Sequence, residues 1–327
     1  MAALVLVLSG SCSTDIDIIH ESSGRPVAYC LLNPQDSVQY LRVSRSFIIR
    51  GNPFEQDIPP DSLVLDEDFY AYLVDETPAG HDEPHYFAPT TIHLRDSGFF
   101  PREDLVVLET PLRVEGGNTY GLYIHFPGIT RLVAGSATVV EPSEILDPIP
   151  LPGRELTLSD EQGYLVRWSN HIPFSLFEPV IRFIYLEGDK NSQVEKELDL
   201  PQPVVYGNAD ATFFSSYLNG AGFIADLVKN LNPPDSGIRR KIIGFDLLLN
   251  TGGTEMGIYE RSGQNTINAF TGLDEYSNLD GAVGLYSSRT QTATYNNRFS
   301  DLTINLLADD KRTHPLGFLR YDEDFTP

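Results

Sequence analysis

The residues able to do chemistry fall into a few groups. The earliest is Cys12, which follows Ser9-Gly10-Ser11 and the apolar run Ala2–Leu8 (AALVLVL). A run of seven apolar residues is too short to span a bilayer as a helix, which takes about 20. It matches the apolar region of a secretory signal, with small residues ahead of a cleavage point. A cysteine directly after small residues reads as a lipobox, whose thiol is acylated once the peptide before it is removed. The expected arrangement is a signal and lipobox over residues 1–12, lipid on Cys12, and a polar tether over 13–24.

A second group is His81-Asp-Glu-Pro-His85. Two imidazoles at this spacing on a helix could grip zinc. Pro78, Gly80 and Pro84 argue against a helix, so the expectation is a solvated loop without metal. Asp66-Glu67-Asp68 could offer oxygens to calcium, but it lacks the spacing of acids and glycine that a dedicated loop uses. A solvated strand edge is expected there. The chain has no nucleophile elbow, phosphate loop, dinucleotide fingerprint or cysteine pair at metal spacing. No catalytic residue and no cofactor are therefore assigned. A hydrolase, built from two carboxylates or a Ser/His pair meeting in a cleft, is the weaker alternative.

A third group surrounds Gly281-Ala-Val-Gly284. Asn278, Asp280 and Arg289 flank it and could rim a binding surface. The structural reading is a core strand entered by a turn, its glycines allowing close backbone approach and Arg289 paired to an acid. That reading is preferred. Aromatic residues form a fourth group, with 16 Tyr and 18 Phe. Tyr70 and Tyr72 share a strand face, and Tyr123 with His125 lies opposite Leu122. Exposed, such rings would stack on a sugar or a partner, but packing in the sandwich core is the commoner explanation and is the expectation here.

These side chains must be positioned by strands. Pro26–Leu32, Val38–Ile49, Leu63–Val74, His85–Leu94, Leu105–Val114, Tyr120–Phe126 and Leu132–Val140 are short apolar or alternating runs divided by turn residues. Such a series predicts an immunoglobulin-like β-sandwich over 25–142. Four prolines between Pro142 and Pro152 predict a stiff linker over 143–153. Residues 154–327 read as a β-rich α+β domain. Its expected strands are Gly163–Ser169, Pro179–Leu186, Ile242–Leu249, Val283–Tyr286 and Leu302–Leu307. One packed amphipathic helix is predicted near 221–231. Phe223, Ile224, Leu227, Val228 and Leu231 form its apolar face, with Asn219 as cap and Pro233-Pro234 as stop. Cys30, alone in its strand, is expected as inert core.

The whole is acidic. With 23 Lys+Arg against 46 Asp+Glu the net charge is −23, which excludes nucleic acid and docking on anionic lipid by a basic patch. Residues 1–150 hold 22 acids and 8 bases.

Several segments together resemble a lipoprotein family of Bacteroidota known as domain of unknown function 4249. They are Pro26-Val-Ala-Tyr-Cys-Leu-Leu-Asn-Pro34, Val38-Gln-Tyr-Leu-Arg-Val43, and Val114-Glu-Gly-Gly-Asn-Thr-Tyr-Gly-Leu-Tyr-Ile124. Ala134-Gly-Ser-Ala-Thr-Val-Val-Glu-Pro142, Phe183-Ile-Tyr-Leu-Glu187 and the stretch Tyr276–Arg289 continue the series. The resemblance implies an outer-membrane lipoprotein facing periplasm or cell surface, an accessory to a TonB-dependent receptor or transporter, with no catalytic residues assigned. A surface module for a glycan or another nutrient is the alternative function, its small ligand unnamed.

Overall fold

A computed structural model describes residues 25–45, 68–78, 83–92, 105–127, 131–149, 154–170, 172, 175–208, 210–265 and 276–325. Cys12, His81, Asp66 and Glu67 lie outside them. The chain is mainly β: an N-terminal immunoglobulin-like β-sandwich is followed by a β-rich α+β part with a packed amphipathic helix.

The first half contributes β1 (Pro26–Leu32), β2 (Gln39–Arg45), β3 (Tyr70–Asp75), β4 (His85–Tyr86), β5 (Ala88–Ile92), β6 (Leu105–Thr110), β7 (Thr119–Phe126) and β8 (Arg131–Thr138). One layer runs β1-β2-β6-β5 and the other β4-β3-β7-β8. Alternation decides what lies between them. Tyr120, Leu122, Ile124 and Phe126 of β7 point inward, where they join Ala28, Cys30, Leu32, Leu41 and Leu73. Burial pushes the Cys30 thiol up to about 12, so it stays an inert apolar side chain. The run expected as one strand over His85–Leu94 is two. β4 pairs with β3 in one layer and β5 with β6 in the other. Buried Phe87 sits between them where the chain changes layer.

The second half adds β9 (Glu144–Asp147), β10 (Glu155–Leu156), β11 (Tyr164–Ser169), β12 (Leu176–Gly188), β13 (Gln193–Pro201), β14 (Val205–Tyr206) and β15 (Phe213–Leu218). Then come α1 (Gly220–Asn230), β16 (Arg239–Gly252), α2 (Thr254–Asn265), β17 (Val283–Phe299) and α3 (Asp301–Asp309). Helix α1 matches its sequence signature except at Val228, expected on the apolar face but exposed. The Asn219 side chain accepts from Gly222 N at 3.0 Å, and Phe223, Ile224 and Leu227 enter the core. That core is a mass of rings: Trp168, Phe177, Phe183, Phe214, Phe223, Phe245, Phe299 and Phe318.

Two expectations are corrected. Leu302–Leu307 is helical, within α3. Ser300 caps it through Thr303 N, Thr303 and Leu307 are buried four residues apart, and Leu302 is exposed. An apolar run of that length does not distinguish strand from helix. The stretch 143–153 is not simply a spacer, because β9 lies inside it and pairs with β11. Pro142 and Pro148 bracket this strand rather than interrupt it. Ile145 is buried, and Asp147 pairs with Arg154 and Arg167 and accepts from the Tyr164 hydroxyl.

The strand that matters most for the architecture is β17. Val283–Ser288 runs parallel to β1, while Arg289–Asn297 pairs antiparallel with β16. One sheet of order β13-β12-β16-β17-β1-β2-β6-β5 therefore passes through both halves. Gly284 has φ +131°, and a Cβ there would lie 1.9 Å from the Ala28 carbonyl oxygen, so only glycine permits this crossing. Two residues on, Tyr286 is fully buried in the sandwich core, and its hydroxyl donates to the Tyr120 carbonyl at 3.0 Å.

Candidate functional site

The outer face of the β4-β3-β7-β8 sheet carries the most distinctive surface. In β3, Ala71 and Leu73 face the core, so Tyr70 and Tyr72 face out. In β7 the inward set leaves Tyr123 and His125 outside. Register then brings these side chains together: Tyr70 pairs with His125, Tyr72 with Tyr123, and Tyr72 with Tyr86 of β4. The Tyr70 and His125 rings stack with centroids 4.9 Å apart at 4°, and those of Tyr72 and Tyr123 lie 5.3 Å apart at 24°. Tyr86 meets Tyr72 at 5.4 Å and 55°, breaking the parallel set. Tyr70 and Tyr86 are 44% and 57% exposed, so the expectation of core packing for these tyrosines is corrected: their strand face lies opposite Ala71 and Leu73 and is open to solvent.

Polar groups hold one end of the row. Tyr123 donates its hydroxyl to Glu76 Oε1 at 2.5 Å, and Ser136 donates to Glu76 Oε2 at 3.1 Å. The bond to the Glu76 carboxylate pushes the Tyr123 phenol up to about 12, with burial and the carboxylate charge adding to it. Gly121 makes room. A Cβ there would lie 2.2 Å from Glu76 Oε1 and 2.8 Å from Tyr123 Cε2. At the other end the Tyr72 hydroxyl lies 3.2 Å from His125 Nε2. Burial, then the neighbouring Tyr70 and Tyr86, raise the Tyr72 phenol. The row is thus a set of stacked rings with a carboxylate fixed at its edge, suited to stacking and hydrogen bonding.

The other candidates are dispersed. Asn278 uses its whole amide on the backbone of Tyr286, donating to its oxygen at 2.6 Å and accepting from its nitrogen at 2.9 Å. Asp280 is exposed, and its backbone bridges Ala134. Arg289 lies three residues beyond Tyr286 on β17, exposed and with no ion pair among the described residues. The three residues do not share one arrangement, and the acid expected opposite Arg289 is not among the described residues. His85 is half-buried in β4, and Asp68 is exposed just before β3. Among the described residues no three His, Cys, Asp or Glu side chains gather as metal ligands do. No described helix is long and apolar enough to cross a membrane.

The nearest approach to a catalytic pair is Ser287 donating to Glu255 at 3.2 Å. Ser287 is fully buried, and its oxygen also accepts from Met256 N, so it anchors the start of α2. Burial raises the Glu255 carboxyl. A hollow beside Arg154, Tyr164 and Phe245 holds only about 10 Å³, the space of one water. A second exposed apolar group, Leu165, Phe213 and Tyr217, lies on the β15-β11-β9 sheet. Its rings make no stack with one another among the described residues.

Tyr70, Tyr72, Tyr123 and His125 were visible as alternating positions. Tyr86, Glu76 and Ser136 were not singled out. The signal for Tyr86 was the short run before Phe87, but which strand it joins is set by long-range register.

No family model matches the chain, and no curated protein does. Among solved structures, the crystal structure of CBD12 from CALX1.2 aligns over 81% of this chain and 100% of its own, at 9% identity and a TM-score of 0.16. A likeness that low carries no argument about fold or function.

Proposed function

We propose that this protein is a non-enzymatic, lipid-anchored accessory of the outer membrane that docks on a receptor or transporter through the outer face of β3, β4, β7 and β8. The observation that carries the reading is the solvent-facing row of Tyr70, Tyr72, Tyr86, Tyr123 and His125. Rings held by cross-strand stacking present a large contact area with little entropy left to lose, as docking anchors do. The lipobox at Cys12 and the resemblance to the Bacteroidota lipoproteins support the address. The acidic surface then serves solubility outside the cytoplasm, and lipid rather than charge holds the protein at the membrane.

The test is capture of the intact lipoprotein from detergent-solubilised native membranes. The native chain is expected to bring down a membrane protein, and Tyr72→Ala/Tyr123→Ala to lose it. Equal recovery by both chains would sink the reading of the face. Cys12→Ala is expected to move the protein to the soluble fraction; retention in the membrane would remove the anchor.

A further inference from the structure

We propose that the aromatic face takes the cationic side chains, arginine above all, of an extended basic segment on a partner protein. This rests on the docking reading and names its chemistry.

Geometry comes first. The ring centroids of Tyr70, Tyr72 and Tyr86 form a triangle with sides of 6.5, 6.4 and 5.4 Å. Tyr86 is inclined 46° to Tyr70, and both rings are about half exposed. Two inclined, open rings attract a cation through their quadrupoles, and a guanidinium also stacks flat against them.

Charge points the same way. Strands β3, β4 and β7 contain no lysine or arginine, and β8 has only Arg131, at its end opposite Phe126. Glu76 stands at one end of the row, and Asp68 and Glu83 are exposed beside it. The chain as a whole carries −23. An anionic partner would be repelled, a neutral one would gain nothing from the acids, and a basic one gains from every group present.

Glu76 completes the arrangement. The donors Tyr123 and Ser136 hold its carboxylate in place, and its remaining lone pairs can accept a guanidinium N–H. The rings stand on three strands at about 4.8 Å spacing, a row about 10 Å wide, the span of about three extended residues. An open row of that width suits an extended segment better than an enclosed ligand.

The experiment is calorimetric titration of the full chain with three probes. These are a decapeptide alternating arginine and glycine, the same peptide with citrulline for arginine, and maltohexaose. The arginine peptide is expected to bind, and the citrulline peptide to bind at least about tenfold more weakly. Tyr70→Ala/Tyr86→Ala and Tyr70→Leu/Tyr86→Leu should each weaken the arginine peptide about tenfold, the second pair keeping apolar bulk without a π face. Glu76→Gln should weaken it about threefold. Phe213→Ala/Tyr217→Ala, on the other sheet, should leave it unchanged. Equal binding of the arginine and citrulline peptides overturns the proposal. So does arginine binding indifferent to the tyrosine variants, which is diffuse attraction, and so does binding of maltohexaose with the peptide silent. If any of these occurs while Tyr72→Ala/Tyr123→Ala still loses the membrane partner, the docking reading stands and this inference falls. If the tyrosine variants keep both, both fall.

Discussion

Two aromatic clusters in this molecule are built from similar numbers of rings and meet opposite ends. In the second half Phe183 packs with Phe223, Phe299 and Phe318 at centroid distances of 5.8 to 6.0 Å, sealed under α1. In the first half Tyr70, Tyr72, Tyr86, Tyr123 and His125 stack at similar distances in the open. The difference is chemical. The inner cluster is phenylalanine, with no polar atom to satisfy, on the inward faces of β12, β17 and α1. The outer one is tyrosine and histidine, whose polar atoms reach Glu76, one another or water. A ring without a hydroxyl has a reason only to leave water. A hydroxylated ring held at the surface keeps both an apolar body and a polar tip for another molecule.

Substitutions probe that contrast, beginning with the interior. Phe183→Ala is expected to cost about 3–5 kcal/mol in chemical denaturation, because it removes a buried ring at the centre of the cluster. A loss below about 1 kcal/mol would show that the interior is as loosely held as the face. Tyr286→Ala should cost a similar amount, about 3–5 kcal/mol. Tyr286→Phe should cost only about 0.5–1.5 kcal/mol, through its one hydrogen bond to the Tyr120 carbonyl. The large loss should appear as one unfolding transition, since β17 belongs to both halves. Two separate transitions would show that the halves melt independently.

Smaller effects belong to the surface. Tyr70→Ala/Tyr86→Ala should change unfolding free energy by about 1 kcal/mol or less, the scale of exposed cross-strand pairs, while removing the docking surface. A loss like that of Phe183→Ala would return this face to the core. The least costly change is Glu76→Gln. Tyr123 is held up to about 12, above the ordinary 10.0. A raised folded-state pKa gives stability that is present below 10 and lost as pH rises through 12. Without the carboxylate, the phenolate absorbance of Tyr123 should appear nearer pH 10, and that part of the alkaline destabilisation should flatten. An unmoved titration would mean that Glu76 does not hold Tyr123 in solution.

Much of this was legible in the chain. Period-two alternation set Leu122, Ile124 and Phe126 on one face and Tyr123 and His125 on the other, because a strand points successive side chains to opposite faces; that the tyrosine face is the open one depends on how the sheets pack. Asn219, the apolar spacing after it and Pro233-Pro234 marked α1 by rules local to a few residues. Leu302–Leu307 was misread because six residues hold less than two helical turns, too few for periodicity to separate helix from strand. The prolines from 142 to 152 signalled a break, but whether the residues between two prolines pair depends on a neighbour supplied from elsewhere, here β11.

Local rules acting on side-chain type thus determined which residues share a strand face, where α1 starts and stops, and that Gly281–Gly284 marks a close backbone approach. Pairing between residues far apart in sequence decided the rest. The parallel contact of Val283–Ser288 with β1 joins positions about 256 residues apart. The meeting of Tyr72 with Tyr86 and Tyr123 depends on register across three strands. Register and partner choice follow from the burial of whole sheets against each other, a free energy that no single segment contains.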